Sequence, residues 1–145
     1  MTAIDISMEA LHLANRNIEK HGVADRIDLV NSDWFDSLLP GSGFDLIVSN
    51  PPYVATKIRG NLQPELDFEP ELALYAGEDG MEAYRQLVPG CREHLNPGGH
   101  FVFEIGADQA EMIKNVFAGS PGLELLEISR DLSGLSRVAV ARAVD

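Results

Sequence analysis

The sequence predicts an α/β protein built on a three-layer sheet, mostly parallel with one antiparallel strand. Three observations predict it. Apolar runs of strand length alternate with helical stretches in the order β-α-β-β-α-β-α-β-β. The run from Phe44 to Val48, interrupted only by Asp45, ends against Asn50-Pro51-Pro52-Tyr53, where two residues without N–H groups stop a parallel strand. The segment from Arg130 to Leu135 is too short for a crossover helix, so the strands it joins must pair antiparallel.

Taken in order, Thr2 to Ile6 reads as a short buried strand with an acid, Asp5, near its end. Ser7 can cap the following helix, with Glu9 in its first turn. Leu11, Ala14 and Ile18 recur at helical spacing, and His21-Gly22 supplies the stop. Ile27 to Val30 is the second strand, followed by Ser32-Asp33-Trp34-Phe35. Pro40-Gly41-Ser42-Gly43 is a turn, and Phe44 to Ser49 the third strand. Residues 54 to 79 have no sustained period and carry Pro64, Pro70 and several acids; a loop of that length in a compact domain is usually functional. Helix resumes near Gly80, with Met81, Tyr84, Val88, Cys91 and Leu95 on one face and a kink or break expected at Pro89. Asn96-Pro97-Gly98-Gly99 predicts a turn. His100 to Ile105 is a strand, and Ala107 to Ala118 a helix packed through Ala110, Ile113 and Phe117. Leu123 to Ser129 and Ser136 to Ala143 are the last two strands.

The 145 residues suffice for one domain, with no internal boundary or repeat. A hydrophobic fraction of 45% with 23% charged residues is that of a folded soluble protein. The net charge of −12 offers no basic face for phosphates, which disfavours direct nucleic-acid binding. One cysteine, Cys91, excludes a disulfide framework and a cysteine-rich zinc site; its plain reading is a small core residue. His12, His21, His94 and His100 have no metal-ligand spacing, so no metal site is expected. No apolar run is long enough to span a bilayer and no signal peptide is visible, so a cytoplasmic location is expected.

Ligands of open α/β sheets bind beyond the carboxyl ends of the strands, so the polar residues there carry the functional argument. Asp5 can accept hydrogen bonds from both ribose hydroxyls of a nucleoside cofactor; the plainer alternative is an exposed acid that helps cap the next helix. Asp33 can accept from an adenine amino group with Trp34 packed on the base; the plainer alternative is a surface acid beside a core tryptophan. Asn50 offers a carbonyl and an amide, and the Pro51 carbonyl lies beside it in sequence. Two adjacent acceptors suit a planar NH₂ group and can turn its nitrogen face toward an electrophile. Pro52 and Tyr53 can wall the slot. An amide nitrogen is a poor nucleophile, so positioning against an activated electrophile is the main lever. The alternative is a strand-terminating turn without a ligand. Glu69-Pro70-Glu71 and Gly77-Glu78-Asp79-Gly80 can shape a cleft or be ordinary loop residues. Glu104, ending a strand, can face the same pocket or be salt-bridged.

Together these residues resemble the class I S-adenosylmethionine-dependent methyltransferases, and within them the HemK-type protein glutamine N5-methyltransferases that modify peptide-chain release factors. The resemblance covers nearly the whole chain. It rests on Ala3-Ile4-Asp5, Ser32-Asp33-Trp34-Phe35, Asp45 through Tyr53, Phe68-Glu69-Pro70, Asp79-Gly80-Met81, Pro97-Gly98-Gly99, and Arg130-Asp131-Leu132-Ser133-Gly134 before Arg137-Val138. The Asn-Pro-Pro-Tyr stretch alone is shared with methyltransferases of exocyclic amines in DNA and RNA; the other stretches narrow the match to the release-factor branch. The resemblance implies a Rossmann-like sheet, S-adenosylmethionine as methyl donor, and a release factor as protein substrate. It implies that Asp5 binds the cofactor ribose and Asp33 with Trp34 the adenine region. Asn50, which also borders the cofactor, and Pro51 would hold the target amide, with Pro52 and Tyr53 shaping its slot.

The chain departs from the family at its amino end. Family members carry a recognition domain, a first strand and a glycine-rich loop before the acid matched by Asp5, and this sequence begins where their second strand begins. That strand would sit at the sheet's centre, so its lack is expected to leave two strand edges unpaired, to weaken cofactor binding, and to favour self-association through those edges. Two other readings stand beside the leading one: an exocyclic-amine methyltransferase acting on nucleic acid, and a non-catalytic interaction module that keeps the fold.

Overall fold

The computed structural model describes all residues except Pro40, residues 61–65, Asp67 and Asp145. The expected turn at Pro40 and the loop proline Pro64 fall, in whole or part, outside the described residues. The chain divides into two compact units, Met1–Pro40 and Gly41–Asp145.

The first unit is β1 (Thr2–Asp5), α1 (Met8–His21) and β2 (Asp28–Asn31). β1 and β2 pair in parallel, with Asp5 opposite Asn31. The helix starts as its sequence predicts. The Ser7 hydroxyl accepts the Ala10 N–H at 3.2 Å, and Gly22 ends the helix in the left-handed region at φ 64°. Leu11 and Ile18 form its buried stripe. β1 is half-buried rather than buried, because it has a partner strand on one side only among the described residues.

The second unit opens with β3 (Phe44–Ser49) and continues through a 3-10 turn (Thr56–Ile58), α2 (Glu71–Leu74) and α3 (Glu82–His94). It closes with β4 (Leu95–Glu104), α4 (Ala110–Ala118), β5 (Leu123–Arg130) and β6 (Ser136–Ala143). Its sheet runs β3-β4-β6-β5; β3 and β4 are parallel, and β6 is antiparallel to both its neighbours. The order follows the predicted alternation, but the strands form two sheets instead of one. β1 and β3 each lie at the end of their sheet, so the two open edges expected from the sequence are present among the described residues. On β3, Leu46 and Val48 are 56% and 68% exposed.

The core of the second unit is aromatic. Phe101 and Phe103 share one face of β4 and stack at 4.3 Å between ring centroids. Tyr84 from α3 and Phe117 from α4 close on Phe103 at 5.7 and 6.0 Å. Each fully buried side chain of this size contributes about 1.5–3 kcal/mol. The predicted stripe of α3 is confirmed, since Met81, Tyr84, Val88, Cys91 and Leu95 are all buried.

Two local expectations are corrected. Of the kink or break expected at Pro89, the break is absent: α3 continues through Pro89 to His94. Pro89 lies on the exposed side, where the Arg85 carbonyl that loses its helical partner can turn to water, while the opposite face stays packed. Asn96 to Gly99 does not separate a helix from a strand but lies within β4 as an irregularity. Phe44 faces Leu95 and Leu46 already faces His100. Asn96 holds this bulge, its amide donating to the Gly43 carbonyl and to Asp45 Oδ1 at 3.0 and 2.8 Å. α4 also begins later than its period suggests, because Gln109 turns back to the Gly106 N–H.

Candidate active site

In the first unit, parallel pairing brings the ends of β1 and β2 to one edge, so Asp5 and the Asp33-Trp34 turn share it. Asp5 is exposed. Its Oδ1 accepts the Ser7 N–H at 2.8 Å, so it does take part in the helix cap, as the plainer reading holds. Asn31 spans the same edge, its amide donating to the Asp5 and Ile6 carbonyls at 3.0 and 2.9 Å. After β2 the chain folds back on itself: the buried Ser32 hydroxyl accepts the Ser37 N–H at 2.9 Å. Within that turn Asp33 is exposed. Trp34 is half-buried and has φ 45°, the only non-glycine residue in the left-handed region among those described. That backbone costs about 1–2 kcal/mol, and the ring is not the core tryptophan that size alone suggests.

The second unit holds Asn50, Pro51, Pro52 and Tyr53. β3 ends at Ser49, as the prolines require. Pro51 is buried and Asn50 exposed. No hydrogen bond engages the Asn50 side chain among the described residues, so its donor and acceptor face solvent. Tyr53, by contrast, is tied at both ends. Its hydroxyl donates to Glu104 Oε1 at 2.8 Å, and its carbonyl accepts from Gln109 Nε2 at 3.0 Å. Burial, reinforced by the Glu104 carboxylate, raises the Tyr53 phenol above its ordinary value. Beyond it, Val54 forms an isolated parallel bridge with Tyr75, which returns the irregular segment to the site.

Glu104 thus faces the site and is also within 3.9 Å of Arg137. Arg137 Nε lies 3.6 Å from Asp131 Oδ2, and Asp131 Oδ1 accepts the Ser133 and Leu135 N–H groups at 2.9 and 3.0 Å. Those backbone donors, the Leu135 N–H first, lower the Asp131 carboxyl. The Arg-Asp-Leu-Ser-Gly stretch is therefore a turn that connects to Tyr53 through Arg137 and Glu104. In the Gly77–Gly80 stretch, hydrogen bonds from Arg85 hold Asp79 at about 2. Glu71, the first residue of α2, pairs with Arg59.

Sequence reasoning missed Gln109, and missed that the buried Tyr84 hydroxyl lies between the Glu104 carbonyl at 3.1 Å and Gln109 Oε1 at 3.2 Å. The signal was present. Gln109 precedes Ile113 and Phe117 by four and eight residues, so it is a polar side chain on the buried stripe of α4, and it is 3% exposed.

Residues 1–65 match the methyltransferase small domain family. A release factor glutamine methyltransferase of Thermosynechococcus vestitus is 40% identical over 97% of this chain and 49% of its own length. One from Cereibacter sphaeroides is 41% identical over 97% of the chain and 50% of its length. The chain is similar to these release factor glutamine methyltransferases over nearly its whole length. It spans about half the length of those curated relatives, and 26% of a bifunctional methyltransferase of Rickettsia felis at 41% identity. Among solved structures, a methyltransferase from Pyrococcus furiosus is similar with TM-score 0.70 and 21% identity, covering 99% of this chain and 62% of that one. A ribosomal protein L11 methylase from Lactobacillus delbrueckii subsp. bulgaricus is similar at 0.67 and 21%, over 99% and 57%. Both carry the methyltransferase fold, and the α/β class read from the sequence agrees with them.

Proposed function

We propose that this chain is the catalytic portion of an enzyme that moves a methyl group from S-adenosylmethionine to the side-chain amide nitrogen of a glutamine in a peptide-chain release factor. The observation that carries the reading is Asn50. Its carboxamide is exposed and unengaged among the described residues, on a turn that is otherwise pinned by Glu104 and Gln109. A free donor and acceptor on a fixed support suit the recognition of another carboxamide, with the Pro51 carbonyl as second acceptor and Pro52 and Tyr53 as walls.

The exposed acids of the first unit fit the adenosine end of the cofactor. Asp5 retains a second carboxylate oxygen for ribose hydroxyls, and Asp33 with Trp34 offers an acceptor and a half-exposed ring at the same strand edge. S-adenosylmethionine supplies a sulfonium-activated methyl group. The protein's part is to hold the acceptor nitrogen with its lone pair toward that group; no described residue is required as a general base, because the amide proton can pass to solvent. These acids account for the nucleoside end alone, so we expect this chain to bind the cofactor weakly. Tight, stoichiometric binding by titration calorimetry would overturn that expectation. A cytoplasmic enzyme is consistent with the absence of any helix long and apolar enough to cross a membrane among the described residues.

The test is methylation of purified release factor by this chain and by a version extended at its amino end with the corresponding region of a curated relative. Transfer to glutamine by the extended form supports the reading. Methylation of nucleic acid alone, or no transfer by either form, overturns it, the latter in favour of a non-catalytic interaction module.

A further inference from the structure

We propose that Gln109 is a positioning residue for the acceptor turn. This rests on the reading of Asn50 to Tyr53 as the acceptor site. A carboxamide has two N–H donors and an oxygen with two lone pairs. In Gln109 each of the four has a partner within hydrogen-bond distance. Its nitrogen donates to the Tyr53 carbonyl at 3.0 Å and the Gly80 carbonyl at 3.1 Å. Its oxygen accepts the Gly106 N–H at 2.8 Å, and the Tyr84 hydroxyl, 3.2 Å away, shares its one proton between that oxygen and the Glu104 carbonyl at 3.1 Å. The group is buried, so every one of these bonds is costly to leave unmade.

The neighbours leave room for this knot and nothing larger. Gly80 sits at φ 75°, and a Cβ there would strike the Tyr53 carbonyl and come within 2.9 Å of Gln109 Nε2. A Cβ on Gly106 would come within 2.8 Å of Gln109 Oε1. Three chain segments therefore converge on one side chain: the end of the acceptor turn, the start of α3 and the start of α4.

The consequence falls on Asn50. β3 fixes the chain at Ser49, and Gln109 fixes it again at the Tyr53 carbonyl. Two of the three residues between are prolines, whose φ is set by the ring. Little backbone freedom remains at Asn50, which limits where its carboxamide can be presented. Transfer to a poorly nucleophilic amide depends on that presentation, and a displacement of about 1 Å can cost about 100-fold in rate.

The variants Gln109→Met and Gln109→Glu separate aim from folding. They are compared with wild type in the form that methylates release factor, at temperatures where thermal melts show each fully folded. Gln109→Met keeps the length and loses all four bonds; kcat falls about 100-fold while the KM for S-adenosylmethionine changes little. Gln109→Glu places a carboxylate against two carbonyl oxygens, and only its protonated form can donate to one of them. Its rate relative to wild type therefore rises as pH falls, whereas the Gln109→Met ratio stays flat. A flat ratio for folded Gln109→Glu, or wild-type kcat in folded Gln109→Met, overturns the proposal. Should neither variant fold, Tyr84→Phe removes the hydroxyl shared by Gln109 Oε1 and the Glu104 carbonyl and lowers kcat several-fold; unchanged kcat there overturns it equally. Asn50→Ala is run alongside. If Asn50→Ala is inactive and the Gln109 variants are not impaired, Gln109 alone is misassigned. If Asn50→Ala turns over normally, or no form is active, the acceptor reading fails and takes this proposal with it.

Discussion

The two units hold their candidate site residues in different ways. In the first, the acids' own turns are tied over short stretches, Asp5 to Ser7 across two residues and Ser32 to Ser37 across five, and Asn31 reaches back 26 and 25 residues to the Asp5 and Ile6 carbonyls. In the second, the ties are long: Tyr53 to Glu104 across 51 residues and Gln109 to Tyr53 across 56. Those turns and the single β1–β2 pairing place the cofactor-facing acids, on a two-stranded sheet that is marginal by itself. The acceptor turn is placed only when β3, β4, α3 and α4 have all come together. Nucleoside recognition tolerates some looseness, since exposed acids and a half-exposed ring can adapt to a ligand. Aiming an amide nitrogen does not.

The largest expected effect tests the rigid side of this contrast. In a methylating form, Asn50→Ala is expected to lower turnover by about 100-fold or more with modest loss of cofactor binding. Single-turnover kinetics beside calorimetry would show it, and unchanged turnover removes the basis for the assignment. Next come the cores. Phe103→Ala deletes the ring on which Tyr84 and Phe117 pack and is expected to cost about 3–5 kcal/mol. Leu11→Ala also removes a buried side chain, but from a unit whose buried apolar residues among those described are Leu11 and Ile18. Amide exchange should show protection lost across β4 and α4 in the first variant, and confined to α1, β1 and β2 in the second. Loss of protection in both units together from either change would break the contrast.

The same difference decides how much the sequence revealed. Strand ends and caps depend on neighbours in the chain, so the Ser7 cap, the Gly22 stop and the end of β3 before Pro51 were legible. So was the buried stripe of α3, because its period is written in the sequence. What escaped was whatever depends on distant partners. Pro89 looked like a break because the packing that carries α3 past it is not local. Asn96 to Gly99 looked like a turn because the bulge exists only opposite β3. Asn50 was legible as the acceptor candidate. The apparatus that aims it was not, since Gln109 reads as one polar residue on an apolar stripe until the two carbonyls it binds are in view.

A smaller effect is expected at the open edge. Leu46 and Val48 expose apolar surface on an end strand, which favours pairing between copies of the chain. Leu46→Lys is expected to weaken self-association about tenfold, the equivalent of about 1.4 kcal/mol of apolar burial. Sedimentation equilibrium reads this directly, and a dimer fraction indifferent to the substitution places any association elsewhere.

The smallest effect concerns the second tie on Tyr53. Its phenol is raised first by burial and then by the hydrogen bond and charge of Glu104. Glu104→Gln keeps an acceptor in place but removes the charge. The Tyr53 titration midpoint, followed by NMR of its ring carbons, should therefore move down toward the ordinary phenol value without reaching it, because burial remains. The sign of the linked stability follows. A phenol whose value is raised by folding contributes stability that is complete below its unfolded value and is lost as pH rises through the folded one. Wild type should thus lose stability in the alkaline range more steeply than Glu104→Gln, while the two have the same pH dependence near neutrality if this phenol is the group responsible. Because the Gln109 bond to the Tyr53 carbonyl is untouched, kcat should fall less in Glu104→Gln than in Gln109→Met. The reverse order would mean that the acceptor turn is held chiefly by its ring and not by its backbone.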